Sequence, residues 1–144
     1  MNKNLKVSKN IIIDTSADKL WKVLTDPEII KVYLYGTQTI TDWQLGSPIV
    51  FQGEYQGNLY KDKGNVLENI RNQILSYDYW SGFSGLSDSP ENYAEVTYSI
   101  QKLCKNQVRF TWSQIGYANE EGQKHSENGL SSMLEQIKNL AEEL

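Results

Sequence analysis

The chain has 144 residues, enough for one domain, with 39% apolar residues, 22% charged residues and a formal net charge of −4. This composition excludes a disordered chain, and the acidic balance speaks against a nucleic-acid partner, whose phosphates require a basic surface. A lone cysteine, Cys104, excludes an internal disulfide and a multi-cysteine zinc site.

The first residues carry no charged-then-apolar leader, and no apolar run approaches the roughly 18 residues of a membrane span. The expectation is a cytoplasmic protein with no membrane partner. Leu5 to Ile13 is rich in β-branched residues and reads as a first strand. Asp14 to Asp18 is a run of capping residues, in which Thr15 and Asp18 approximate a capping box. Ala17, Leu20, Trp21 and Leu24 then share one helical face. Asp26-Pro27-Glu28 restarts the helix: Asp26 can cap it, and Pro27 suits the first position because its missing N–H would be unpaired there. Ile29, Ile30 and Tyr33 carry this second short helix towards Gly36.

From Thr37 to Gln114 the apolar rhythm changes to period two. Strands are expected at 37–43, 48–56, 58–70, 73–80, 93–101 and 107–114. Tight links at Leu45-Gly46-Ser47, Gly57-Asn58, Arg71-Asn72 and Lys105-Asn106 make the strands antiparallel neighbours, because parallel pairs need long crossovers. Ser81 to Asn92, rich in Gly, Ser and Pro, reads as a long loop that can cover a pocket mouth. Cys104 falls in an alternating apolar stretch and is expected to be a buried, inert thiol. Glu121 to Leu144 is the longest helical pattern, with Leu130, Leu134, Ile137 and Ala141 in one stripe. Residues 1–144 thus read as a single α+β domain: a curved antiparallel sheet of about seven strands, two short helices and a long C-terminal helix.

Several segments carry a family resemblance. Leu20-Trp21-Lys22-Val23-Leu24-Thr25-Asp26-Pro27-Glu28 resembles a "VWxALTDPE" segment. Asp42 to Ser47 sits where that family has an aspartate and a glycine turn before an "FxG" strand, here Phe51-Gln52-Gly53. Gly64 to Glu68 and Leu75 to Trp80 are similar to its "GxVLE" and "LxYxW" strands. These are marks of the activator-of-heat-shock-protein-90-ATPase homologue 1-like family, within the START-like, birch-pollen-allergen-like SRPBCC superfamily. The resemblance implies a helix-grip fold and brings a chaperone partner and a stress-response role into view. Two departures stand out: Gly129-Leu130 replaces a frequent Gly-Trp at the last helix, altering the pocket floor, and Ser47 replaces the second glycine of a turn. Chaperone stimulation by such proteins uses an additional N-terminal domain, for which 144 residues leave no room.

A bent sheet around one long helix leaves a cleft between them, where ligands commonly bind. Strand parity turns Phe51, Tyr55, Tyr77, Tyr79, Tyr98, Phe110 and Trp112 inward, and the last helix offers Leu130, Met133 and Ile137. These ten are the expected ligand-binding residues. Nine tyrosines against three phenylalanines favour a wall with hydrogen-bonding hydroxyls over a dry core. By the same parity Glu54 and Asp78 point outward.

No catalytic constellation is legible. His125, the single histidine, sits among Lys124, Ser126 and Glu127 on an expected solvent face. No metal-ligand spacing or phosphate-cradling loop occurs, so no metal or cofactor is expected. Three functions follow: binding of a hydrophobic or amphipathic small molecule, a protein–protein module related to chaperone activators, or a START-like enzyme (cyclase, dehydratase or hydrolase) using Glu68 if that carboxyl is buried.

Overall fold

The computed structural model describes residues 1–144. Strand β1 (Asn2–Ile13) leads into helices α1 (Ala17–Thr25) and α2 (Pro27–Tyr33). Then come β2 (Gln38–Ile40), β3 (Pro48–Tyr55), β4 (Asn58–Ile70), β5 (Ile74–Tyr79), β6 (Ala94–Cys104) and β7 (Gln107–Tyr117), and finally helix α3 (Glu120–Glu143). The strands form one seven-stranded sheet in the order β1-β7-β6-β5-β4-β3-β2, antiparallel at every pairing. From β2 to β7 the chain is a meander, as short links dictate, and β1 completes the sheet beside β7. This is a helix-grip α+β fold.

The helix starts follow local chemistry with one correction. Ser16, not Thr15, caps α1 by accepting from the Lys19 N–H at 3.3 Å. Thr15 is buried and donates its hydroxyl to Ala141 O at 3.2 Å, tying the α1 entry to the end of α3. Asp26 caps α2 through the Glu28 N–H at 2.9 Å, with Pro27 in the first turn.

The β3–β4 hairpin turns on Gln56-Gly57, one residue earlier than expected. Both have positive φ (51° and 80°), the two-residue geometry that matches strand twist. The strand expected over 37–43 shrinks to Gln38–Ile40. Its continuation bends away, with Trp43 at φ 62° and its indole Nε1 donating to Thr25 O at 2.9 Å. Cys104 is exposed, not buried: beyond Ile100 the end of β6 runs past the core, with a pairing irregularity between Lys102 and Cys104.

Helix α3 packs chiefly against β1, with α1, α2 and β7 at its flanks. Its Leu130, Leu134, Ile137 and Ala141 join Ile13, Leu20, Val108 and Phe110 in one core cluster. The helix therefore seals one end of the sheet's concave side and leaves the stretch over β3, β4 and β5 open.

Candidate ligand-binding cavity

The open stretch is a cavity of about 570 Å³ lined by seventeen residues, nine of them aromatic. Strand β3 supplies Phe51 and Tyr55, β4 supplies Tyr60 and Asp62, and β5 supplies Tyr77 and Tyr79. Val96 and Tyr98 come from β6, Trp112 and Gln114 from β7, and Met133 from α3. The mouth is formed by Leu34, Tyr35 and Thr37 after α2, by His125 and by Phe83.

Two glycines permit the close approaches that shape this wall. At Gly53 a Cβ would lie 2.7 Å from the Tyr60 hydroxyl, so the missing side chain seats that ring. At Gly64 a Cβ would lie 1.8 Å from Asp78 O, where β4 and β5 come together.

The rings are ordered by one another and by hydrogen bonds. Phe51 and Tyr77 stand 5.3 Å apart, Tyr77 and Tyr98 5.8 Å, and Tyr98 and Phe110 5.9 Å, in tilted or edge-on geometries that suit ring quadrupoles. The Tyr77 and Tyr98 hydroxyls bond to each other at 2.9 Å. Tyr79 donates to Gln114 Oε1 at 3.5 Å, and Gln114 Nε2 donates to Gly116 O at 3.0 Å. Tyr60 and Thr37 share a short hydroxyl–hydroxyl bond. The mouth residue Phe83 lies on a short 3₁₀ turn (Gly82–Ser84) and packs on Tyr60 at 5.7 Å and Tyr55 at 6.2 Å. Its loop is fastened by Trp80 Nε1 donating to Leu86 O (3.1 Å), by Tyr93 OH donating to Asp88 (2.7 Å) and by a Lys63–Asp88 ion pair.

Burial raises the phenol pKa of Tyr33 and Tyr77 well above the usual value, lifts Tyr98, and pushes Tyr79 up to about 12. In the folded chain these groups hold their protons where the unfolded chain, with phenol pKa near 10, releases them. Above about pH 10 the unfolded state therefore binds fewer protons, and stability falls as pH rises. An alkaline titration followed at 295 nm reads this directly. The buried tyrosines ionise only in a step that coincides with loss of far-ultraviolet circular dichroism. Smooth ionisation of Tyr33, Tyr77, Tyr79 and Tyr98 with the fold intact would contradict their burial.

Of the ten residues expected to bind ligand, Phe51, Tyr55, Tyr77, Tyr79, Tyr98, Trp112 and Met133 line the cavity. Phe110, Leu130 and Ile137 do not. They are buried in the core cluster, because the main stripe of α3 faces β1, and of this helix only Met133, on its flank, and His125, at the mouth, reach the cavity. Glu54, expected outward, lies on the cavity rim next to Tyr55. His125 is exposed as expected and also edges the mouth.

Glu68 is exposed on β4, so it lacks the burial on which its catalytic candidacy rested. A pairing irregularity between Val66 and Glu68 breaks the alternation there. Before that break β4 alternates cleanly: Tyr60, Asp62, Gly64 and Val66 on the inner face against Lys61, Lys63, Asn65 and Leu67. That lysine-marked outer face was the signal for Asp62, the inward carboxyl that parity counting overlooked. Burial raises the Asp62 pKa, and the Ser81 side chain beside it pulls in the opposite direction. No group of three or more His, Cys, Asp or Glu side chains is gathered to hold a metal ion.

An antiparallel sheet gripping a long helix, with an aromatic cavity between them, defines a START-like domain of the SRPBCC type. The chain belongs to the family described as activator of Hsp90 ATPase homolog 1-like protein, whose model matches residues 14–142. It is 38% identical to a Cytophaga hutchinsonii protein of known solution structure, with a TM-score of 0.83 over 99% of this chain and 97% of that one. The Aha1 dimer of Colwellia psychrerythraea shares the fold at 16% identity and TM-score 0.72, covering 95% and 96% of the two chains. An HSP90 activator of Plasmodium falciparum does so at 14% identity and TM-score 0.72, covering 94% and 95%. No curated protein matches the chain.

Proposed function

We propose that the chain binds a hydrophobic or amphipathic small molecule in the aromatic cavity, without catalysing a reaction on it. The observation that carries this reading is the unfilled volume. About 570 Å³ lies within the roughly 300–1,000 Å³ range of small-molecule sites, whereas packed interiors leave few voids larger than a water molecule. Rings with internally paired hydroxyls supply rigid apolar walls, so a ligand gains burial without much ordering of the protein.

The test uses N-phenyl-1-naphthylamine, a neutral apolar fluorophore. Saturable, single-site enhancement is expected with the native chain. The Met133→Trp variant, which fills the cavity from a half-buried helix position, is expected to bind at least tenfold more weakly while keeping its circular dichroism. Equal binding by the variant sinks the reading.

A second reading, a protein–protein module acting on a chaperone, is supported by the family and by the fold shared with the Plasmodium HSP90 activator. Stimulation of a purified Hsp90 ATPase by this chain, undiminished in Met133→Trp, would favour that role over ligand binding.

A further inference from the structure

Three buried side-chain polar atoms lack a hydrogen-bond partner: Thr39 Oγ1, Asn72 Oδ1 and Asp62 Oδ1. Among them only Asp62 belongs to the cavity wall. The wall's tyrosine hydroxyls at Tyr60, Tyr77, Tyr79 and Tyr98 already have partners. Asp62 is half-buried on that wall, with the Ser81 side chain beside its carboxyl and its Oδ1 accepting no hydrogen bond, and leaving such an oxygen unpaired is costly.

Its surroundings select what would complete it. Asp62 pairs in register with Phe51 on β3, shares the inner face of β4 with Tyr60, and lies close enough to Tyr79 for its charge to raise that phenol's pKa. The lining contains a second carboxylate, Glu54, and no lysine or arginine; its one basic side chain is the exposed imidazole of His125. Ring faces attract cations through their quadrupoles, and a carboxylate without a counter-ion does so through its charge. An anionic ligand such as a fatty acid would instead be brought beside two negative groups with no cation to answer it.

We infer that the cavity takes an amphipathic amine, with its ammonium N–H donated to the Asp62 carboxylate among the rings of Phe51, Tyr60 and Tyr79 and its apolar body against Tyr98 and Met133. This deepens the small-molecule reading and rests on it. The carboxyl then recognises the ligand's head group and takes no part in chemistry.

The test displaces N-phenyl-1-naphthylamine from the full chain at pH 7 with three probes of equal length: decylamine, decanol and decanoate. Decylamine is expected to compete at least tenfold better than decanol, and decanoate worst of all. In Asp62→Asn the advantage of the amine over decanol is expected to fall below threefold. The variant should fold at least as well as the native chain, since it removes the charge of a half-buried carboxyl that has no counter-ion and keeps an oxygen for Ser81. Decanol or decanoate competing as well as decylamine overturns the ammonium assignment and leaves the cavity reading standing. A tenfold amine preference retained in Asp62→Asn overturns the role given to Asp62. Failure of all three probes to displace the fluorophore overturns the cavity reading and this inference together.

Discussion

Replacing Gly64 with alanine is expected to destabilise the protein by about 3 kcal/mol, the upper end for inserting a methyl group into a filled interior. At this chain length the loss corresponds to a fall in Tm of roughly 10 °C. The new Cβ would lie 1.8 Å from Asp78 O and 2.9 Å from Tyr79 Cα. Both obstacles are backbone, so no rotamer change relieves them. The site also governs the cavity, because Asp62 and Tyr79 sit on the two strand segments that would be forced apart. Gly129→Ala is the control. Its Cβ meets nothing within 4 Å, and an alanine inside α3 is expected to raise stability by about 1 kcal/mol. Thermal melts of the two variants in opposite directions check the argument. A Gly64→Ala protein with native Tm would show that β4 and β5 do not meet so closely.

The second large effect separates core from cavity wall. Phe110 is fully buried and Tyr55 is 58% exposed, although both were expected to touch ligand. Phe110→Ala is expected to cost about 3–5 kcal/mol, from lost burial plus the void left behind. Tyr55→Ala is expected to change stability by less than about 0.5 kcal/mol, as is usual for exposed positions. On the proposed function its effect is expected in binding, since Tyr55 and Phe83 stand edge-on at 6.2 Å in the cavity lining. Urea unfolding of both variants with unchanged slopes makes the comparison. Similar losses for the two would dissolve the distinction between packed and open halves of the concave side.

The architecture was legible because each boundary had a local cause. Asp26-Pro27 marks the start of α2, and period-two runs with tight links order the strands. The wall was partly legible for the same reason: parity turns Tyr77, Tyr79, Tyr98 and Trp112 inward whatever lies opposite them. The helix contribution was not. A stripe of Leu130, Leu134 and Ile137 declares that a face is buried, but its partner is set by how α3 lies across the sheet, and α3 lies on β1. Asp62 and Glu68 exchange roles for a related reason. The alternation that turns Asp62 inward would carry Glu68 with it, but the register irregularity after Val66, which residue types do not reveal, leaves Glu68 exposed. Thr15 against Ser16 is a smaller instance: adjacent hydroxyls both suit a cap, and the choice is made by Ala141, 126 residues away.

The central claim is that the space beside Met133 is a binding site and not merely loose packing. The chain has two methionines, Met1 and Met133, and only Met133 lines the cavity. With both methyl groups carbon-13 labelled, saturating N-phenyl-1-naphthylamine should shift the Met133 methyl resonance and give intermolecular nuclear Overhauser effects to it, leaving Met1 unperturbed. A bound fluorophore with no such contacts and an unmoved Met133 signal would place the ligand elsewhere and contradict the account.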